Sequence, residues 1–189
     1  MEQGEAILIG RMRYRDTSLI VQWCSAEAGL FRTIAKGALR PKSDLGTRLD
    51  LMVTAEIQWV RSRRSDLHTL TEVRWKKPRL GLRSSYGRLL AATYVTKLVT
   101  QVAEAEAPLA GIHALLEKAL DHLAEKEPSA ALLARFEWRL AQELGVAGER
   151  PEGAAAALEE AFHRRLPPQR RQVLEWIRSQ SGEADGGAK

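Results

Sequence analysis

The sequence predicts an α+β chain: a small closed β-barrel followed by an all-α helical bundle. Three observations predict it. Five segments within the first 76 residues are rich in β-branched and aromatic side chains and alternate apolar with polar positions. From residue 86 the apolar residues recur at helical spacing instead. Charge divides at the same place: residues 1–85 hold 16 Lys and Arg against 9 Asp and Glu, a net +7, and the remainder nets −2. Such asymmetry points to a polyanionic partner for the basic half.

Strands are expected over 5–15, 18–25, 30–37, 49–61 and 67–76. They are joined by "DT", "AEAG", the basic loop 38–48 and "SRRSD", all of which carry turn chemistry. Five short antiparallel strands cannot make a wide sandwich; they close into a small barrel, most simply a five-stranded OB-fold. Residues 86–105 place Leu90, Tyr94, Leu98 and Val102 on one stripe, widened by Leu89, Val95 and Val99. A second helix over 109–125 buries Ile112, Leu115, Leu116, Ala119 and Leu123. Ser129 caps a third, with the face Leu133, Phe136, Leu140 and Leu144 and a stop at Gly145. After the loop 147–153, two shorter helices over 154–166 and 169–179 are split by Pro167-Pro168. The domains are therefore 1–80 (OB-fold, nucleic-acid binding), 81–180 (helical) and 181–189 (disordered tail).

Catalytic chemistry finds little support. There is no GxxxxGK[ST] and no GxGxxG. His68, His113, His122 and His163 are scattered, and Asp16, Asp44, Asp50 and Asp66 stand singly in turns, where a metal-dependent nuclease needs converging carboxylates. The single cysteine, Cys24, excludes an internal disulfide and reads as a small buried hydrophobe. The start "MEQGEAILIG" lacks the features of a secretory signal, and no stretch approaches the ~20 apolar residues of a membrane span. No enzyme, cofactor or metal is expected; the expectation is a protein of a reducing compartment, the cytoplasm.

The cations are more ordered. Arg32 and Lys36 share one strand face, four residues or roughly 13 Å apart. Arg40 and Lys42 carry the charge into the loop and Arg48 closes it, so that five cations face only Asp44 over 32–48. A second cluster, Arg61, Arg63 and Arg64, lies in the loop joining strands 4 and 5, at the end of the groove where an OB-fold holds oligonucleotides. Trp23 and Trp59 alternate with core positions; Trp75, beside Lys76 and Lys77, is free to be a stacking residue.

These residues carry a resemblance. The stretch "EAILIGRMRYRDTSLIVQWCSAEAGLFRTIAKGALRPKS" resembles the amino-terminal OB-fold of the bacterial RecO family, with Asp16-Thr17-Ser18 at its acidic turn, Gly29 before the third strand, and Ala35 to Ser43 at its AKGxRRxKS signature. Leu39 takes the first position of the Arg pair, leaving Arg40. "LLARFEWRLAQELGV" (132–146) is similar to the family's RRFExxLLxxLGY helix through Arg135-Phe136-Glu137, with Ala134 at a frequently basic position. The resemblance covers residues 5–146 and implies a recombination mediator that binds single-stranded DNA, and double-stranded DNA second. It implies annealing of complementary strands and, with RecR, help in loading the recombinase onto DNA coated by single-strand-binding protein, without ATP. It also makes Arg135 and Arg139 candidates for holding the acidic tail of single-strand-binding protein, the alternative for Arg135 being an ion pair with a neighbouring helix. Many relatives carry a four-Cys zinc module after this helix; with Cys24 alone, none is expected here. The region after 146 is shorter than is usual in the family. A nucleoid-associated protein of the cytoplasm follows. Two other functions fit the residues alone: an RNA-binding OB-fold protein, and an adaptor whose barrel docks an acidic protein.

Overall fold

The computed structural model describes residues 1–186 of the 189. Five strands, β1 (Glu2–Tyr14), β2 (Ser18–Ser25), β3 (Gly29–Ala35), β4 (Thr54–Val60) and β5 (Leu67–Lys77), close into a barrel in the order β1-β2-β3-β5-β4. This is the OB arrangement. One pairing departs from the expectation of antiparallel strands: β3 and β5 run parallel, with Arg32 opposite Leu67 and Ile34 opposite Thr69. The barrel closes through that pairing. Its interior is filled by the inward positions of every strand, including Leu8, Val21, Trp23, Phe31, Ile57, Trp59 and Val73. Trp23 and Trp59 are core, as their alternation predicts, and the Trp23 indole N–H donates to Thr33 Oγ1 at 2.8 Å. Burial also pushes the Cys24 thiol up to about 12, so at neutral pH it stays a protonated, inert core group.

The fourth strand starts five residues later than expected. Leu49 and Val53 are buried, but Met52 has a φ of 66°, which breaks the extended run. Ahead of it lies a short helix, α1 (Asp44–Thr47), capped by the Ser43 hydroxyl, which accepts from the Gly46 N–H at 3.2 Å. Gly46 is required there: a Cβ would stand 1.9 Å from the Ala38 carbonyl oxygen.

A 3-10 turn (Leu80–Ser84) leads into α2 (Tyr86–Val102), α3 (Ala110–Glu125), α4 (Ala130–Glu143), α5 (Ala154–Phe162) and α6 (Gln169–Gly186). The Ser129 hydroxyl accepts from the Leu132 N–H at 3.1 Å, and Gly145 has a φ of 70° beyond the helix end, so both ends of α4 fall where the sequence puts them. Leu133, Phe136 and Leu140 are buried; Leu89, expected in the stripe of α2, is exposed. Helix α6 is continuous to Gly186 and takes in most of the segment expected to be unstructured; 187–189 lie outside the described residues. The chain forms two compact units, one of residues 1–79 with 103–114, the other of 80–102 with 115 onward. In the first, Ala105 bridges Leu30, and a Cβ on Gly29 (φ 72°) would stand 2.1 Å from the Ala107 carbonyl oxygen.

In the second unit, Glu137 of the Arg135-Phe136-Glu137 triplet is a buried carboxylate. Its Oε1 accepts from the Tyr94 hydroxyl and from Arg170 Nε, both at 2.7 Å, and Oε2 accepts from Arg170 at 3.1 Å. Burial, then the neighbouring Glu137 charge, holds the Tyr94 hydroxyl far above its ordinary value, which keeps it a donor. The hydrogen bonds that Arg170 donates to Glu137 likewise raise the pKa of its guanidinium.

Candidate nucleic-acid interface

The basic loop is a chain of tight turns. Ala38, Arg40 and Ser43 N–H groups donate to the carbonyls of Ala35 (3.4 Å), Gly37 (3.0 Å) and Arg40 (3.1 Å), and the Leu39 N–H donates to Thr17 O at 2.9 Å, tying the loop to the β1–β2 turn. Gly37 has a φ of 70°, and a Cβ there would meet the Arg40 side chain at 3.4 Å. Ala38 is buried and Leu39 packs on the barrel core. Leu39, at the position of a frequent arginine, is thus an anchor, and the loop alternates core contacts with outward cations.

Lys36, Arg40 and Lys42 are exposed and form no ion pair with any described residue. Lys36 lies one residue beyond the end of β3. The other expected cations divide. Arg32, on β3 between Gln22 and Leu67, is exposed but pairs with Asp66, whose carboxyl is held below its usual range by the hydrogen bond and then the charge of that arginine. The Arg48 guanidinium donates to Val73 O at 3.1 Å, and its carbonyl accepts from the Trp75 indole at 2.6 Å. Arg61 is drawn out of its cluster by Glu106 at 2.9 Å and Glu2 at 3.9 Å. Arg63 and Arg64 stay exposed and unpaired within the described residues. Parallel pairing sets their loop at the level of Arg32, and the 36–42 loop just past the end of β3. Arg63, Arg64, Arg32 and the Lys36–Arg40–Lys42 group therefore follow one another along β3, with Asp66 in their midst.

In the second unit, Arg135 is exposed and makes no ion pair with a described residue; the neighbour-helix pairing falls to Glu137 and Arg170 instead. Arg139 lies over the Trp138 ring at 5.3 Å and donates to Gln142 Oε1 at 3.2 Å. His68 and His113 are buried. Among the described residues, no group of three or more His, Cys, Asp or Glu side chains could hold a metal, and no helix is long and apolar enough to cross a membrane. Sequence reasoning did not find Asp66 and Glu106 as partners of Arg32 and Arg61. They lie 34 and 45 residues away, beyond the reach of local pattern.

Comparison with known proteins agrees with this architecture. Residues 1–79 match the family model "Recombination protein O N terminal", and residues 83–149 match "Recombination protein O C terminal". Among curated proteins, the chain is 33% identical over 144 residues to a DNA repair protein RecO of Idiomarina loihiensis, covering 75% of this chain and 60% of that one. To that of Nitrosospira multiformis it is 30% identical over 146 residues, 77% and 59% of the two chains. To that of Paraburkholderia xenovorans it is 32% identical over 142 residues, 75% and 46%. The chain thus spans between about half and three-fifths of these relatives' lengths. With the barrel and the helical region each matched in order, the chain belongs to the RecO family.

Proposed function

We propose that this chain is a recombination mediator of DNA repair, holding single-stranded DNA on its barrel by the phosphate backbone and annealing complementary strands without nucleotide hydrolysis. The observation that carries this reading is the group Lys36, Arg40 and Lys42: three cations with no ion pair among the described residues, projected from a loop already locked by turns. A pre-ordered loop loses little entropy when a strand docks, and phosphate neutralisation supplies affinity without sequence preference. Arg63 and Arg64 extend the contact at the other end of β3. Annealing needs no catalytic group: screening two polyanions along one cationic track brings them together. Residues 1–80 act as the DNA-binding domain. Residues 81–180 meet protein partners, with Arg135 and Arg139 facing the acidic tail of single-strand-binding protein, and RecR joining in recombinase loading. Double-stranded DNA is a second ligand, and the protein works in the cytoplasm at the nucleoid.

The test is annealing of two complementary oligonucleotides, with and without single-strand-binding protein and in the absence of nucleotide. Acceleration over the spontaneous rate is expected. No acceleration, or tighter binding to RNA than to DNA of the same sequence, would replace this reading with that of an RNA-binding protein or an adaptor.

Asp66 gives a second prediction. It neutralises Arg32 inside the track, so Asp66→Asn should tighten single-strand binding roughly two- to threefold at low salt, since an exposed pair masks only part of a charge. Titration of a labelled oligonucleotide reads this directly; unchanged or weaker affinity would remove Arg32 from the contact surface.

A further inference from the structure

Trp75 is the barrel tryptophan that the core does not absorb: it is 43% exposed. A singly exposed aromatic is ordinary, but this one is fixed. Its indole N–H donates to the Arg48 carbonyl at 2.6 Å, and the Arg48 guanidinium donates back to Val73 O at 3.1 Å. With Thr47, Arg48 and Arg74 it lines an open cavity of about 460 Å³, within the ~300–1,000 Å³ range of small-ligand sites and wide enough for a nucleobase with its sugar. Arg74, exposed and paired with Glu72 at 2.7 Å, presents a guanidinium plane at the rim with its charge largely balanced.

Its place in the barrel links it to the basic loop. Ile34 of β3 is level with Thr69 of the parallel β5. Lys36 is two residues beyond Ile34 and Trp75 six beyond Thr69, one of them the extra residue of a bulge at Thr71, so Trp75 lies roughly 10 Å further along the same strand direction. The chain makes the same link: Lys42 leads into the Ser43 cap of α1, which ends at Thr47 and Arg48 in the cavity wall.

We propose that the cavity of Thr47, Arg48, Arg74 and Trp75 is a nucleobase-stacking subsite, receiving one base of the strand whose phosphates lie along Lys36, Arg40 and Lys42. The proposal rests on the DNA-binding reading and adds to it a contact with a base where the loop contacts only phosphate. A base packed on a pre-fixed indole, beside guanidinium planes, is held whatever its identity, because every base has a π-face. The subsite therefore makes binding depend on bases being present without making it sequence-specific.

The test compares the protein's affinity for an oligo-thymidylate and for an abasic deoxyribose-phosphate strand of equal length, at one salt concentration. The wild type should prefer the base-bearing strand roughly tenfold, as expected for one stacked base. Trp75→Ala should bind both alike with its salt dependence unchanged, and Trp75→Phe should keep most of the preference. Thermal unfolding of each variant reports folding, and the wild-type comparison needs no variant. Equal wild-type affinity for the two strands, or a preference surviving in a folded Trp75→Ala protein, would overturn the subsite while leaving phosphate binding intact. Failure of both strands to bind would remove the DNA reading itself, and the subsite with it.

Discussion

Glu137→Ala is expected to cost about 3 kcal/mol of stability, the lower end of the ~3–5 kcal/mol for breaking a buried ion pair from one side. The carboxylate is fully enclosed, and its removal leaves two groups without their partner: the Tyr94 hydroxyl and the Arg170 guanidinium. Tyr94 is itself completely buried, so its O–H loses its acceptor with no water to replace it. Arg170 is 34% exposed along its side chain, so solvent recovers part of its charge, which places the loss at the lower end. Glu137→Gln should cost less, because an amide oxygen still accepts from Tyr94. Urea unfolding followed by far-ultraviolet circular dichroism reads the difference through the midpoint. A loss below about 1 kcal/mol for Glu137→Ala would mean that the network is no more than a surface pair. Packing of Phe136 and anchoring by Glu137 give two of the three motif residues a structural task, and leave Arg135 alone pointing outward.

Reversing two cations, Lys36→Glu with Arg40→Glu, is expected to weaken single-strand binding by at least about 60-fold at 50 mM salt. Each phosphate that is no longer neutralised removes a term of slope about −0.7 in log K against log salt, which is about eightfold between 50 mM and 1 M. Two such factors multiply, and repulsion by the new carboxylates adds to the loss. The effect should shrink as salt rises, and the fold should be unharmed because both side chains are exposed and unpaired among the described residues. Oligonucleotide titrations at two salt concentrations check both features; a variant bound as tightly as the wild type would remove these residues from the interface. Charge reversal at Arg61 should do less to binding, since that guanidinium already pairs with Glu106 and Glu2 within the barrel unit.

What could be read from the sequence was what neighbouring residues decide. The Ser129 cap and the Gly145 stop depend on residues a few positions away, and the structure places both as expected. The strand reading of 49–53 departed from the structure for a definite reason. Leu49, Leu51 and Val53 alternate as a strand would, but Gly46 against the Ala38 carbonyl and the left-handed Met52 turn that pattern into a cap on the barrel. The parallel β3–β5 pairing, the masking of Arg32 by Asp66, and the Glu137 network join residues 33 to 43 positions apart, and local pattern carries no signal for such meetings. The clustering of cations was legible as composition; which of them are free of ion pairs among the described residues was a matter of tertiary structure.

The most direct measurement is the slope of log K against log salt for single-stranded DNA, in the wild type and in a Lys36→Gln, Arg40→Gln, Lys42→Gln variant. Three unpaired cations on phosphate predict a slope flattened by about 2 in the variant, at about 0.7 for each phosphate released from its cation. Parallel lines for the two proteins, or a wild-type affinity indifferent to salt, would contradict it.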